Sequence, residues 1–176
     1  GIGRNATLTL AKAGYTVVAT GRRQDALEET AQSADGMVDP IASDVTDEAS
    51  IDALFAAIKA NHGRLDVVFN NAGNNVASTN FGELSLADWK TVIDVNLTGA
   101  FLIANRAYRM MRDQSPQGGR IINNGSISAH VPRPGSAPYT SSKHAISGLT
   151  RSISLDGRGH NIACGQIDIG NAASDM

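Results

Sequence analysis

The chain has 176 residues, of which 41% are hydrophobic, and this is enough for one domain with a packed core. Its 15 basic and 17 acidic residues nearly balance, which favours neither nucleic acid nor an anionic membrane surface as a partner. The single cysteine excludes an internal disulfide, and no stretch is apolar over the roughly 20 residues that a membrane-spanning helix needs. We therefore expect a cytoplasmic protein.

The chain opens on glycines that lead directly into a helix. Gly1, Ile2 and Gly3 precede a helical run that Gly14 closes, and a strand is predicted next over residues 15–20. This opening is similar to the second half of a glycine-rich phosphate turn, in which a helix N-terminus binds an anion. Two glycines alone are equally typical of a flexible terminus, so the motif needs support from the rest of the chain.

The turn after this predicted strand carries arginines and no acid. It includes Arg22 and Arg23, whereas Asp25, the first acidic residue, already belongs to the next predicted helix. An acid at such a turn binds the ribose hydroxyls of NAD, while an arginine binds the 2′-phosphate of NADP. The turn favours NADP, with NAD still possible; the alternative is that both arginines are solvated surface charges.

Strand and helix patterns then alternate. The apolar spacing over residues 51–58 predicts an amphipathic helix, and the apolar run 65–69 predicts a buried strand that ends at Asn70. Such alternation is typical of parallel βαβ units. We predict an α/β fold with a doubly wound parallel sheet between two layers of helices.

A long helix is predicted over residues 86–112, with an apolar stripe that includes Trp89, Phe101 and Met111. Asn96 falls on this stripe. A buried polar side chain costs about 1–3 kcal/mol unless it is paired, so Asn96 is either a satisfied core residue or a functional one.

The most informative feature is the pair Tyr139 and Lys143, four residues apart on a predicted helix, with Ser126 upstream at the end of a predicted strand, 120–124. Residues i and i+4 share one helix face. A fixed positive charge favours the phenolate form of a tyrosine, which makes the phenol a usable acid or base. Because chemistry in open α/β sheets lies at the carboxyl ends of strands, the serine and the pair are expected to meet.

Together these motifs resemble the short-chain dehydrogenase/reductase family along nearly the whole chain. Gly1 and Gly3 match the last glycines of that family's phosphate turn. The other matching motifs, in chain order, are Asp44-Val45, Asn70-Asn71-Ala72-Gly73, Asn96, and Ser126 with Tyr139 and Lys143. The resemblance implies a Rossmann-type NAD(P)-binding domain over residues 1–176 and hydride transfer between nicotinamide and a small carbonyl or alcohol substrate.

The same resemblance implies the role of each residue. Tyr139 is the proton donor, Ser126 holds the substrate oxygen, Lys143 binds the nicotinamide ribose, and Asn96 holds a water that relays protons. The cofactor-binding set would be Gly1, Ile2, Gly3, Arg22, Asp44, Val45, Asn71, Ala72, Gly73, Tyr139, Lys143, Gly170 and Ala172. The full-length protein is expected to be a homo-oligomer, a dimer or tetramer. A non-catalytic NADP sensor of the same fold is the alternative function.

The resemblance also predicts truncation at both ends. The family's first strand, which carries the start of the phosphate turn, and its substrate lid, last helix and last strand find no counterpart in the sequence. After the last predicted strand, Ile169 stands where the family usually has proline and Ser174 where it has threonine. We expect the 176-residue chain by itself to be inactive.

The histidines and the cysteine are predicted to be structural. His62, His130, His144 and His160 lack metal-ligand spacing, so no metal is expected. His130 lies between Ser126 and Tyr139, where it is either a plain loop residue or within reach of a substrate. Cys164 lies in a strand-like run and is predicted to be a buried thiol.

Overall fold

Parallel strands and the helices that connect them make up residues 1–170, the part of the chain that the computed structural model describes. The strands are β1 (Val17–Gly21), β2 (Val38–Ala42), β3 (Val67–Asn70), β4 (Gly119–Asn124) and β5 (Ile162–Ile167). The α-helices are α1 (Ile2–Lys12), α2 (Gln24–Gln32), α3 (Glu48–His62), α4 (Leu86–Ile93), α5 (Ala100–Asp113) and α6 (Ala137–Asp156). The predicted α/β class is confirmed.

The strands form two separate parallel sheets. β1 pairs with β2, and β3, β4 and β5 form a second sheet in that order. Within residues 1–170 no strand lies between β1 and β3.

The observed bounds of two strands, β1 and β3, differ from the predicted ones. β1 runs two residues later at its start than predicted and ends one residue later, at Gly21. β3 is shorter than the predicted 65–69 run, and its first residue, Val67, is 40% exposed. Val67 is exposed although its run is apolar, because β3 has a hydrogen-bonding neighbour on the β4 side only.

Local signals explain where the helices begin and end. The Asp47 carboxylate accepts the Ala49 N–H at the start of α3, which ends at Gly63 in the left-handed conformation. The Ser85 hydroxyl caps α4 by accepting the Asp88 N–H. α1 ends at Lys12, and Gly14 follows with φ of 91°, as the sequence indicates.

The predicted long helix is continuous but contains a π-helical segment, Asp94–Gly99, between α4 and α5. A π-helical turn holds an extra residue, so side chains beyond it rotate relative to an ideal α-helix. Phe101, predicted to lie on the apolar stripe, is therefore 47% exposed, whereas Asn96 is buried. At Gly99, a Cβ would lie only 2.9 Å from the Val45 backbone oxygen, so the missing side chain lets the helix approach the β2–α3 connection.

Two hydrophobic clusters hold the two sheets and their helices together, and α5 contributes residues to both clusters. One contains Ala104, Ala107, Met111, Ile121 and Ile162, and the other contains Ile51, Leu54, Ile58 and Ile103. The second cluster also contacts Val18 of β1 and Val68 of β3. The two sheets thus share a core through α3 and α5, which fixes the cleft between them.

Candidate active site

Most of the predicted site residues line one cleft, of about 2500 Å³, which runs along the space between β1 and β3 and includes the carboxyl ends of the strands. From the cofactor set the cleft is lined by Gly1, Ile2, Gly3, Arg22, Asp44, Val45, Asn71, Ala72, Gly73 and Gly170, and from the catalytic set by Ser126, Tyr139 and Lys143. Asn96 lies behind this wall and bonds to Asn74, which lines it. Ala172 lies outside the described residues. The cleft is large because it includes the space between β1 and β3.

Tyr139 and Lys143 face the same side of α6. The Lys143 Nζ lies 5.5 Å from the centroid of the Tyr139 ring, within cation–π range. The lysine is only 5% exposed, and its Nζ donates a 2.7 Å hydrogen bond to the Asn124 carbonyl at the end of β4. A buried ammonium held against a phenol is an arrangement that can exchange a proton with the oxygen of a bound molecule.

Burial lowers the pKa of Lys143 to about 8, because the low-dielectric surroundings disfavour its charged form. The negative charge of Asp168 acts in the opposite direction and raises the pKa of Lys143 by a smaller amount. The ammonium therefore carries its charge at neutral pH and loses it as the pH rises through about 8.

Ser126 follows β4 directly and is buried. Its hydroxyl oxygen accepts the Ser128 N–H at 3.1 Å, which starts a short 3₁₀ turn, Ile127–Ala129. Its own N–H donates to the Asp168 carboxylate at 3.1 Å. The first bond holds the serine hydroxyl and the second its backbone, and Ser126 lines the cleft that Tyr139 also lines.

Asn96 is fully paired. Its Oδ1 accepts the Asn74 N–H at 2.8 Å, and its Nδ2 donates to the Asn74 carbonyl at 2.9 Å. A longer contact of 3.4 Å joins Nδ2 to the Ser142 hydroxyl, next to Lys143. These bonds meet the need for a partner that the sequence predicts, and they join the π-helical segment to the cleft wall and to α6.

The other end of the cleft contains the predicted nucleotide-binding residues. A Cβ at Gly3 would lie 3.0 Å from the Asn71 amide, whose Oδ1 accepts a 2.8 Å hydrogen bond from Asn124. Asp44 accepts both the backbone N–H and the hydroxyl of Thr46. These bonds, with a smaller contribution from the Arg22 charge, hold the pKa of Asp44 below its usual value. Asp44 therefore acts as a turn carboxylate at the edge of this region.

Sequence reasoning assigned no role to three residues that hold the site: Asn74, Asn124 and Asp168. Each bonds to a predicted catalytic residue, namely Asn96, Lys143 and Ser126 respectively. All three lie at or just after the carboxyl end of a strand. This position, where parallel α/β folds carry their chemistry, is the signal that could have identified them.

His130 has a hydrogen-bonding partner in its loop, whereas Cys164 is less buried than the sequence predicts. The His130 Nε2 lies 2.8 Å from Asp168, so the loop histidine has a specific partner. Cys164 is half-buried, and burial raises the pKa of its thiol to about 11, as expected for an unreactive structural cysteine. Among residues 1–170, no cluster of three or more His, Cys, Asp or Glu side chains is arranged to hold a metal ion.

None of the helices in the described part of the chain combines the length and apolar character needed to span a bilayer.

Comparison with known proteins agrees with this architecture. The short chain dehydrogenase family model matches residues 1–176. A 3β-hydroxysteroid dehydrogenase of Mediterraneibacter gnavus is 38% identical over 170 residues, which cover 95% of this chain and 60% of that protein. This chain thus spans well under two thirds of that relative's length.

Solved structures have the same fold. The acetoin dehydrogenase of Salmonella typhimurium superposes with a TM-score of 0.89 at 32% identity, covering 100% of this chain and 72% of that one. An NAD⁺-bound xylitol dehydrogenase gives a TM-score of 0.93 at 29% identity, covering 98% and 67% of the two chains. The cleft, the motifs around it and these matches together identify the chain as a member of the short-chain dehydrogenase family.

Proposed function

We propose that the full-length protein transfers a hydride between NADP and the carbonyl or alcohol carbon of a small molecule, with Ser126, Tyr139, Lys143 and Asn96 as the catalytic set. The observation that carries the proposal is the buried Lys143 ammonium against the Tyr139 ring, on the wall of a cleft that Ser126 also lines. The oxidoreductase names of its relatives support the same reaction class.

Each side chain has a defined task in the reduction direction. The Tyr139 phenol donates a proton to the alkoxide oxygen that develops on the substrate. The Ser126 hydroxyl donates a hydrogen bond to the same oxygen, and the Lys143 ammonium favours the phenolate that remains on Tyr139. Asn96 holds the cleft wall at Asn74 and α6 in their relative positions through the bonds of its side-chain amide.

The residues at the other end of the cleft fit a dinucleotide. α1 begins at Ile2 and its N-cap residue, Gly1, has no side chain to cap it, which leaves the first N–H groups of the helix for a phosphate. A Cβ at Gly3 would pack tightly against the Asn71 amide, at 3.0 Å. A bound nicotinamide dinucleotide supplies the hydride; Lys143 would bind its ribose and Arg22 its 2′-phosphate.

A turnover assay on the full-length reading frame tests the proposal. The panel consists of acetoin, xylitol, gluconate, sulfoacetaldehyde and a 3β-hydroxysteroid, the compounds after which relatives are named. Each is incubated with NADPH or NADP⁺, and with NADH or NAD⁺, while the reduced nicotinamide is followed by its fluorescence. We expect turnover of at least one compound. Cofactor binding without turnover of any compound would contradict the proposal and favour the nucleotide sensor.

Cofactor preference is expected to depend on Arg22. Arg22→Asp should shift preference from NADPH towards NADH, because it removes a partner of the 2′-phosphate, repels that phosphate and adds an acceptor for ribose hydroxyls. The measurement is kcat/KM with each cofactor. Arg22→Leu, which adds no acceptor, should weaken NADPH use without improving NADH use, and Arg151→Asp on exposed α6 is the remote control. Equal losses with both cofactors in Arg22→Asp would mean that Arg22 is structural.

A further inference from the structure

The Asp168 carboxylate connects three separate parts of the site. Oδ1 accepts the Ser126 N–H at 3.1 Å and the Gln166 amide at 2.6 Å, while Oδ2 lies 2.8 Å from the His130 Nε2. Its side chain is only 30% exposed although it follows the last strand, β5. One carboxylate thus holds the end of β4 and the loop that leads towards Tyr139.

The position of the carboxylate depends on Gly125. A Cβ at this glycine would lie 2.1 Å from the Asp168 Oδ1 and 2.6 Å from the Gln166 amide. A side chain at residue 125 would displace the ends of both of these side chains, so Gly125 leaves the space in which Asp168 bonds to Ser126.

Gln166 extends the connection to the helix that carries Tyr139 and Lys143. Its Nε2 donates to the Ser147 hydroxyl at 3.0 Å, and its Oε1 accepts from the Thr150 hydroxyl at 3.4 Å. Both residues belong to α6, the second and third turns beyond Tyr139. Asp168 and Gln166 therefore join β4, β5 and α6 at the point where these elements present the serine, the phenol and the ammonium.

The charge of Asp168 matters as well as its geometry. Burial acts to raise the pKa of Asp168, but hydrogen bonds from His130, Gln166 and the Ser126 N–H outweigh it and keep this pKa below its usual value. The group is thus ionised at neutral pH. Lys143 lies against the Tyr139 ring on its own helix and also experiences this negative charge, which raises the pKa of the lysine.

We propose that Asp168, with His130 and Gln166 as its partners, is a positioning residue that fixes Ser126 for the hydride-transfer reaction. This inference rests on the proposed function of the site. It goes beyond the residues that the family motifs identify, because Asp168 belongs to none of them. His130 is a tether for the loop through its bond to the carboxylate, rather than a plain loop residue.

Two substitutions separate geometry from charge. Asp168→Ala removes both acceptors and should lower kcat roughly ten- to hundredfold, with a smaller change in KM, because displaced catalytic groups lose rate more than affinity. Asp168→Asn keeps an oxygen for the Ser126 N–H but loses the charge. It should retain most of kcat at neutral pH, while the upper limb of its pH–rate profile moves to lower pH, since Lys143 then deprotonates earlier.

A control variant and a hydrogen-exchange measurement distinguish a loss of positioning from general misfolding of the variants. Asp113→Ala removes a surface carboxylate that hydrogen-bonds to its neighbour Arg112 and does not line the cleft, and it should leave both kcat and the pH profile unchanged. Hydrogen exchange of the backbone amides from Ser126 to Val131 reports on the tether without any substrate. Exchange should become faster in Asp168→Ala and in His130→Phe, and stay close to wild type at Ser126 in Asp168→Asn.

The outcomes distinguish this inference from the function on which it rests. If the wild-type protein turns over its substrate but Asp168→Ala changes neither kcat nor exchange at Ser126, the inference is wrong and the function stands. If Asp168→Asn lowers kcat and speeds exchange at Ser126 as much as Asp168→Ala does, the acceptor oxygen does not position Ser126 and the inference is wrong. A wild-type protein that turns over nothing contradicts both.

Discussion

Replacing Tyr139 by phenylalanine in the full-length protein is expected to reduce turnover by about 10²-fold or more, because a positioned proton donor supplies at least that factor. Cofactor binding should remain nearly intact, since the phenyl ring keeps its packing against the Lys143 ammonium. The measurement is kcat alongside the dissociation constant for NADPH. A loss in kcat alone would assign to the phenol oxygen a task in the chemical step.

The chain offers a matched control for this substitution. Tyr108 also donates a hydrogen bond through its hydroxyl, to the Asp156 carbonyl at 2.8 Å, but it does not line the cleft. Tyr108→Phe should therefore leave kcat close to the wild-type value and lower only the stability of the fold. A Tyr139→Phe protein that keeps more than about a tenth of the wild-type rate would remove Tyr139 from the role of proton donor.

The 176-residue chain expressed alone is expected to self-associate or aggregate and to bind NADPH poorly. Within the described residues, β1 has a partner on the β2 side only and β3 on the β4 side only. The facing edges are apolar, with Val17, Val18 and Ala19 on one side and Val67, Val68 and Phe69 on the other. Unpaired apolar edges bind other chains through backbone hydrogen bonds. Size-exclusion chromatography with light scattering and thermal unfolding measure the effect.

A charge placed on the unpaired edge of β3 tests whether this edge causes the association. Val67→Lys should reduce association, because lysine on an edge strand opposes pairing. Leu155→Lys changes an apolar residue that is even more exposed, at the end of α6 and away from the strand edges, and should have little effect. A wild-type chain that is monomeric, unfolds cooperatively and binds NADPH with micromolar affinity would show that the gap between the sheets is tolerated.

The fold class and the main site residues were predictable because they depend on short-range patterns. Tyr139 and Lys143 share a face because residues four apart on a helix must do so. Ser126 lines the same cleft because it lies just after a strand of a parallel sheet. Asn96 was identifiable from its place on an apolar stripe, which indicated that it needs a partner. The roles of these residues remain predictions until the variants are measured.

The rest depends on contacts between residues far apart in sequence. Phe101 was predicted to be inside because the stripe was read with an ideal helical period, and the π-helical segment before it changes that period. The bonds of Asp168 to Ser126 and His130 join residues that are 42 and 38 positions apart in the sequence, and no local sequence pattern predicts them. The bounds of β1 and β3 depend on which neighbours each strand pairs with.

The division of the sheet also bears on how such an enzyme changes over generations. Arg22 follows a strand of the two-stranded sheet, whereas Ser126 and Asp168 follow strands of the three-stranded one. A substitution in the exposed β1–α2 turn leaves the hydrogen bonds around Ser126 untouched. If Arg22 decides the choice of nucleotide as proposed, selection can alter that choice by substitutions in one surface turn and leave the residues around Ser126 unchanged.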